Sequence, residues 1–145
     1  MGVDHAIDYR ATPDLNAAVM QAAPKGIDVY FENVGGAHLE AAINAARPHA
    51  RFAMCGMISQ YNATEPQPGP SNLIQIVGKS LRMEGFIVSN HYDMQAQFLR
   101  DMAGWIASGQ VKYRETVDQG IAAAPGAFLK LFKGENMGKM LVKLT

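Results

Sequence analysis

Cysteine is almost absent from this 145-residue chain, which contains a single one, Cys55. One cysteine excludes an internal disulfide framework and a cysteine-rich zinc site, and it is typical of proteins from a reducing compartment. The chain also lacks an apolar run of about 20 residues, the length that a membrane span requires. Its first residues lack the apolar segment of a signal peptide. We therefore expect a cytoplasmic protein that has no membrane partner.

An excess of either charge is also missing. The chain has 13 Lys and Arg residues and 13 Asp and Glu residues, so its formal net charge is zero. This balance argues against a nucleic-acid partner, which would require a basic surface. The histidines lack the paired spacing of metal ligands, so the sequence predicts no metal site. The histidines are His5, His38, His49 and His91.

Neither of two common phosphate-binding motifs, G-x-G-x-x-G and G-x-x-x-x-G-K-[ST], occurs in the sequence. The most informative stretch is residues 26–36, which read GIDVYFENVGG. Its apolar part, residues 27–31, predicts a buried strand, and a helical pattern follows the glycines. Ligands of open α/β sheets bind beyond the carboxyl ends of the strands, where Asn33 lies. Asn33 is therefore a candidate binding residue, with a helix cap as the alternative.

Strands and helices alternate along the chain, which predicts an α/β fold with a parallel sheet and right-handed crossovers. The predicted strands are residues 6–9, 27–31, 49–55, 80–88, 113–117 and 139–144. The predicted helices are residues 37–46, 72–78, 93–107 and 125–134, together with a first helix that Thr12 caps and Pro13 opens. From the residues alone, the prediction is a nucleotide-type fold with a ligand at the strand ends.

Five short motifs, spread between residues 26 and 139, extend this prediction. Residues 54–62, MCGMISQYN, resemble C-G-x-I-S-x-Y-N, and residues 82–88, RMEGFIV, resemble R-M-x-G-F-x-V. Residues 112–115 and 134–139 match a characteristic tail. Together with residues 26–36, these segments resemble the zinc-free medium-chain dehydrogenase/reductases. The branch they resemble contains leukotriene B4 12-hydroxydehydrogenase, prostaglandin reductase and NADPH-dependent curcumin reductase.

The resemblance implies that this chain is a C-terminal fragment. Its fold would be a partial Rossmann-type doubly wound parallel sheet, strands three to six, with a C-terminal β-α-β tail. Residues 1–108 would form the C-terminal part of the dinucleotide-binding domain. Residues 109–145 would return to a GroES-like substrate domain. The glycine-rich phosphate loop and the determinant for the 2′-phosphate would lie upstream.

The resemblance also implies an activity and a cofactor. The parent would be an NADPH-dependent oxidoreductase that reduces the activated C=C bond of α,β-unsaturated aldehydes or ketones, which would be its small-molecule partners. The alternative is a non-catalytic remnant that dimerises or binds nucleotides weakly. Relatives imply a homodimer through the edge strand from Leu81 to Val88. A competing outcome is a compact monomer in which residues 6–9 pair directly with residues 27–31.

Tyr61 is the candidate catalytic residue. Hydride addition to an enone leaves an enolate, whose oxygen requires a hydrogen-bond donor such as a phenol. The alternative is that Tyr61 only packs against the proline-rich loop that follows it.

The resemblance assigns cofactor contacts to eleven residues. These are Tyr9, Asn33, Cys55, Gly56, Met57, Ile58, Ser59, Phe86, Ile87, Val88 and Asn136. We expect Cys55 to be a small buried hydrophobic residue rather than a nucleophile. Structural alternatives remain for Tyr9, an aromatic plug at a strand end, and for Asn136, a turn residue after Gly134.

Overall fold

The structure is a computed structural model that describes residues 2–144. The chain divides into two compact units, with the boundary between Tyr92 and Asp93. Within the described residues, no helix has the length and apolar character needed to cross a membrane. Each unit is described by itself.

The first unit is a three-stranded parallel sheet with helices between its strands, in the order β1-β2-β3. The strands are β1 (Ile27–Glu32), β2 (Ala46–Met54) and β3 (Arg82–Gly85). The helices are α1 (Leu15–Ala22), α2 (Gly36–Ala45) and α3 (Ile74–Lys79). This architecture confirms the predicted α/β class, with α2 as the crossover between β1 and β2.

The core of this unit lies between α2 and the sheet. Ile43 of α2 and Phe52 of β2 are almost fully buried, at 0% and 1% exposed. Leu39 and Leu81 complete the same cluster. Side chains alternate between the two faces of a strand, so β2 presents Phe52 to α2 while its neighbour Arg51 is exposed on the other face. The apolar spacing of residues 37–46 therefore predicted this helix correctly.

A network of side-chain amides ties the helices together beside the core. The Oδ1 of Asn44 accepts hydrogen bonds from Asn72 Nδ2 and Gln75 Nε2, both at 2.7 Å. The Nδ2 of Asn44 donates to Asn16 Oδ1, also at 2.7 Å. Because Asn16 lies on α1 and Gln75 on α3, Asn44 links both helices to α2.

Two predictions at the start of the chain are wrong. Residues 6–9 do not form a strand, because none of the described strands lies beside them to form a hydrogen-bonded ladder. Asp14, not Thr12, caps α1, and its side chain accepts a hydrogen bond from Ala17 N at 3.0 Å. The Thr12 hydroxyl instead donates to the Asp8 carbonyl at 2.6 Å, and Thr12 lies three residues before the helix begins at Leu15.

The strand boundaries also differ from the predicted ones. β2 begins at Ala46, and its register with β1 shifts between Ile27 and Val29. His49, at φ 64°, lies in this irregular part. β3 is only four residues long, shorter than the predicted residues 80–88, since its pairing with β2 ends where Gly85 meets Met54.

Among the described residues, the second unit contains two α-helices and a two-stranded parallel sheet. Its elements are α4 (Gln95–Ala107), β4 (Glu115–Gln119), α5 (Ala124–Lys133) and β5 (Lys139–Lys143). Gly134 ends α5 in the left-handed conformation, at φ 67°. A Cβ at Gly138 would overlap the Arg114 carbonyl oxygen, so a side chain there would separate β5 from β4.

Replacing Asn44 tests the amide network. Asn44→Ala leaves the amide groups of Asn16, Asn72 and Gln75 without their shared partner. We expect the free energy of unfolding to fall by about 2 kcal/mol, measured by urea denaturation. Asn62→Ala, at an exposed asparagine outside the network, is the control and should change it by less than about 0.5 kcal/mol. Equal effects of the two substitutions would contradict the role of the network.

Candidate functional site

Glu32 ends β1, and its side chain is fully buried, at 0% exposed. Its Oε1 accepts hydrogen bonds from the backbone N–H groups of Val34 and Gly35, the second at 2.8 Å. These bonds fold the chain sharply between the strand and α2. Asn33 lies at the tip of this turn and is exposed, as expected for a residue at the carboxyl end of a strand.

Gly35 allows the turn to approach the loop that follows β2. It has a φ of 79°, which residues with a Cβ rarely adopt. A Cβ at this position would lie 3.1 Å from Met57 Cβ and 3.2 Å from Ser59 Oγ. Glycine is therefore required here for two reasons, the backbone conformation and the close contact.

Backbone hydrogen bonds join the loop after β2 to the end of β1. The Glu32 carbonyl accepts from Cys55 N at 2.9 Å and from Gly56 N at 3.0 Å. The next two bonds run from Ile58 N to the Asn33 carbonyl and from Ser59 N to the Val34 carbonyl, both at 3.0 Å. The structure thus brings Asn33 and residues 55–59 together on one surface, which we call the strand-end surface.

Tyr61 folds back over this surface. Its hydroxyl accepts a hydrogen bond from Met57 N at 3.2 Å, and a Cβ at Gly56 would lie 2.7 Å from the hydroxyl oxygen. The side chain is 66% exposed. The Tyr61 phenol is therefore anchored through its oxygen, while its own proton remains available to an acceptor in solvent or in a bound ligand.

The expectation that Cys55 is buried is wrong. Its side chain is exposed. Cys55 lies four residues after Arg51, so the alternation of β2 places it on the face of the sheet that points away from α2, where Arg51 is exposed as well.

An aromatic cluster lies just beyond the carboxyl end of β3. Phe86 N donates to the Met54 carbonyl at 3.2 Å. The Phe86 ring contacts Phe31 of β1 edge-on, with ring centroids 5.8 Å apart, and it lies 6.1 Å from the His91 ring. Ile87, the next predicted site residue, is 66% exposed. Val88 is exposed as well, so residues 86–88 project beyond β3 instead of forming part of it.

Tyr9 reaches the first turn of α2 although residues 6–9 are not a strand. Its ring meets His38 edge-on, with centroids 4.8 Å apart. The Arg10 guanidinium lies 5.9 Å from the Tyr9 ring centroid. Tyr9 is therefore packed on one side and exposed on the other, close to the turn that Glu32 forms.

Asn136 belongs to the second unit. Its Nδ2 donates to the Gly138 carbonyl at 2.8 Å, which stabilises the turn before β5. This contact fits the turn-residue alternative, and a cofactor contact of Asn136 stays a prediction.

Tyr30 is a residue whose environment the sequence did not reveal. Its ring packs against Phe52, with centroids 5.3 Å apart. Burial raises the pKa of the Tyr30 phenol above its ordinary value, and the negative charge of Glu32 nearby raises it further. Tyr30 and Glu32 are two residues apart in β1, so they share one face of the strand, and this spacing was the only available sequence signal.

Metal ligands do not cluster in the part of the chain that the structure describes. Within residues 2–144 there is no group of three or more His, Cys, Asp or Glu side chains that could hold a metal ion. The strand-end surface offers backbone groups, an amide, a thiol and a phenol. These groups suit an uncharged or polar organic ligand.

The parallel sheet of the first unit, with helices between its strands, is the fold class of the nucleotide-binding domains of dehydrogenases. A family model described as "Zinc-binding dehydrogenase" matches residues 1–104. This chain belongs to that family.

Similar proteins define the branch within the family. The chain is 40% identical to (+)-pulegone reductase of Mentha piperita over 144 residues, which cover 99% of the chain and 42% of the relative. It is 42% identical to prostaglandin reductase 1 of Bos taurus, covering 98% of the chain and 44% of the relative. The crystal structure of CurA from Vibrio vulnificus in complex with NADPH matches with a TM-score of 0.88 and 38% identity. That match covers 99% of this chain and 44% of CurA.

These similarities confirm the resemblance stated from the motifs. The chain is a member of the zinc-free medium-chain branch that contains prostaglandin reductase and curcumin reductase. It spans less than half the length of the curated relatives that it matches.

The raised pKa of Tyr30 makes a testable prediction about alkaline stability. Because the folded state favours the neutral phenol, the stabilisation is complete below the unfolded pKa of about 10 and is lost as the pH rises through the higher folded pKa. We expect Tyr30→Phe to lose less free energy of unfolding than the wild-type chain between about pH 8 and about pH 11, measured by urea denaturation. Tyr92→Phe, at an exposed tyrosine, should follow the wild type. The same alkaline loss in all three proteins would refute the prediction.

Proposed function

We propose that the protein containing this chain is an NADPH-dependent oxidoreductase that reduces the activated C=C bond of α,β-unsaturated aldehydes or ketones. The observation that carries the proposal is the strand-end surface with the Tyr61 phenol anchored above it at Met57 N. Relatives called pulegone reductase and prostaglandin reductase 1, each about 40% identical, support the reaction class. CurA, solved with NADPH, supports the cofactor.

The residues of this surface fit a flat cofactor ring. Backbone hydrogen bonds to residues 32–34 fix the conformation of residues 55–59. Asn33 supplies an exposed amide, and Ile87 and Val88 supply an exposed apolar edge. When bound, the nicotinamide supplies a hydride. The proposed cofactor contacts are Tyr9, Asn33, residues 55–59, residues 86–88 and Asn136.

The proposed chemistry assigns Tyr61 to the substrate oxygen. Hydride adds to the β-carbon, the C=C electrons move toward the carbonyl, and an enolate forms. The Tyr61 O–H donates a hydrogen bond to the enolate oxygen, and water supplies the proton that the α-carbon takes up to complete the saturated product. The hydroxyl oxygen already accepts from Met57 N. This bond orients the phenol and leaves its O–H free to donate.

Residues 1–108 act as part of the dinucleotide-binding domain, and residues 109–145 act as the tail toward a substrate domain. The small-molecule substrate is an enal or enone. The single cysteine supports a cytoplasmic location.

The activity test uses the full-length protein that the gene encodes. Enals, enones and quinones are offered with NADPH and with NADH, and cofactor oxidation is followed at 340 nm. Reduction of enals or enones with NADPH supports the proposal. Turnover of none of these substrates would favour the alternative, a remnant that dimerises or binds nucleotides without catalysis.

Tyr61→Phe tests the assigned role of the phenol. Loss of one hydrogen-bond donor to an oxyanion lowers kcat by about 100-fold, and KM for NADPH should change by less than about threefold, since the phenol is assigned to the substrate. Tyr113→Phe, at a tyrosine that is equally exposed, is the matched control and should keep wild-type kcat. A Tyr61→Phe enzyme with wild-type kcat would leave Tyr61 with a packing role only.

We also propose that the protein forms a homodimer through the edge strand in the segment from Leu81 to Val88, which in the structure is β3 (Arg82–Gly85). The outer edge of β3 has no strand beside it among the described residues, and unpaired edges are templates for pairing. Sedimentation equilibrium at micromolar concentration should give a mass above the 15.7 kDa of one chain. A single species at the chain mass at every concentration would mean that the edge does not associate.

A further inference from the structure

Glu32 occupies an unusual position for a carboxylate. It is fully buried, although burying a charged group costs free energy unless the group is well compensated. Its Oε1 accepts from two backbone N–H groups of its own turn, those of Val34 and Gly35. Its Oε2 is also buried and has no hydrogen-bond partner within 3.5 Å among residues 2–144. The Tyr30 phenol, on the same face of β1, is close enough for the carboxylate to raise its pKa.

The main chain of the same residue connects the turn to the loop after β2. The Glu32 carbonyl accepts from Cys55 N and Gly56 N. The carboxylate therefore holds the turn that carries Asn33, and the carbonyl holds the loop that carries Tyr61. A shift of this single residue would move both parts of the strand-end surface.

Charge is the property of Glu32 that matters most for the turn. A carboxylate binds backbone N–H groups about twice as strongly as a neutral amide oxygen does. Packing alone would be served equally well by glutamine, which has nearly the same shape. The buried environment strengthens the preference further, because water does not screen the charge there.

We propose that Glu32 is a positioning residue that uses its negative charge to hold Asn33 and residues 55–59 in the arrangement that binds the cofactor. It acts through the backbone of the turn and does not touch the substrate or the reacting atoms. The part of this inference that concerns the cofactor rests on the proposed function. The part that concerns the two loops does not.

The test compares Glu32→Asp with Glu32→Gln. Aspartate keeps the charge, and its short side chain readily accepts from the N–H groups two and three residues ahead, but it leaves a small cavity. Glutamine keeps the volume and removes the charge. If the charge matters, Glu32→Asp should keep the amide protection and the NADPH affinity closer to those of the wild type than Glu32→Gln does. If packing matters, the order of the two variants should be the opposite.

Hydrogen exchange of this 145-residue chain measures how well the amides of the two loops are protected, and it needs no cofactor. In Glu32→Gln we expect the amides of Val34, Gly35, Ile58 and Ser59 to exchange about tenfold faster than in the wild type. In Glu32→Asp we expect rates within about threefold of the wild type. Asp14→Asn is the matched control, because it also neutralises a carboxylate that accepts a backbone N–H, at the start of α1, and it should leave these four amides unchanged.

The full-length protein provides the second readout. Glu32→Gln should raise the dissociation constant for NADPH about fivefold and change kcat at saturating NADPH by less than about threefold. Glu32→Asp should stay within about twofold of the wild type in both. If the wild-type protein does not bind NADPH, the proposed function fails, and the exchange experiment still decides the loop role.

The opposite order of the two variants would overturn the inference. Faster exchange and weaker binding in Glu32→Asp than in Glu32→Gln would assign Glu32 a packing role. Circular dichroism identifies a variant that does not fold. If Glu32→Gln is unfolded, Glu32→Asp is compared with the wild type alone. Retained protection then supports the inference, and lost protection overturns it.

Discussion

The four backbone hydrogen bonds between the end of β1 and the loop after β2 are the constraint on which this site depends. The N–H groups of residues 55–59 leave the β2 ladder at Met54 and need new acceptors, because unpaired backbone groups are costly away from water. The carbonyls of residues 32–34 supply acceptors for four of these five groups, and the Tyr61 hydroxyl accepts from the fifth, Met57 N. These bonds hold the ends of two strands that are distant in sequence close together. Asn33 and Tyr61 therefore lie on the same surface.

Several residue choices follow from this constraint. The turn after β1 must approach Met57 and Ser59 closely, which requires glycine at position 35. The turn must also stay folded without support from a ladder, and the Glu32 carboxylate supplies that support from the buried side. Burial raises the pKa of the Tyr30 phenol, and the negative charge of the same carboxylate raises it further. Local backbone chemistry thus determines which polar groups can be buried at this end of the sheet.

The sequence predicted the features that depend on local residue spacing better than the features that depend on a distant pairing partner. The strand at residues 27–31 and α2 follow from apolar spacing within one element, and both form as predicted. The strand is not buried as predicted, because Val29 and Phe31 are both 57% exposed. Residues 6–9 and 80–88 also looked like strands, but pairing decides strand boundaries, and a partner is not visible in a local pattern. The exposure of Cys55 was missed as well. The family motifs predicted which residues gather at the strand ends, and the Glu32 contacts became visible only in three dimensions.

The anchoring of Tyr61 shows what the motif alone could not give. A tyrosine at the edge of a pocket can pack, accept or donate, and the sequence did not distinguish these roles. In the structure the hydroxyl oxygen accepts from Met57 N, so one lone pair is used and the O–H direction is restricted. A donor that is oriented before a ligand arrives needs little reorganisation when negative charge develops on that ligand. The N–H of Met57 belongs to the loop that Glu32 holds. The orientation of the phenol therefore also depends on the four backbone hydrogen bonds between β1 and this loop.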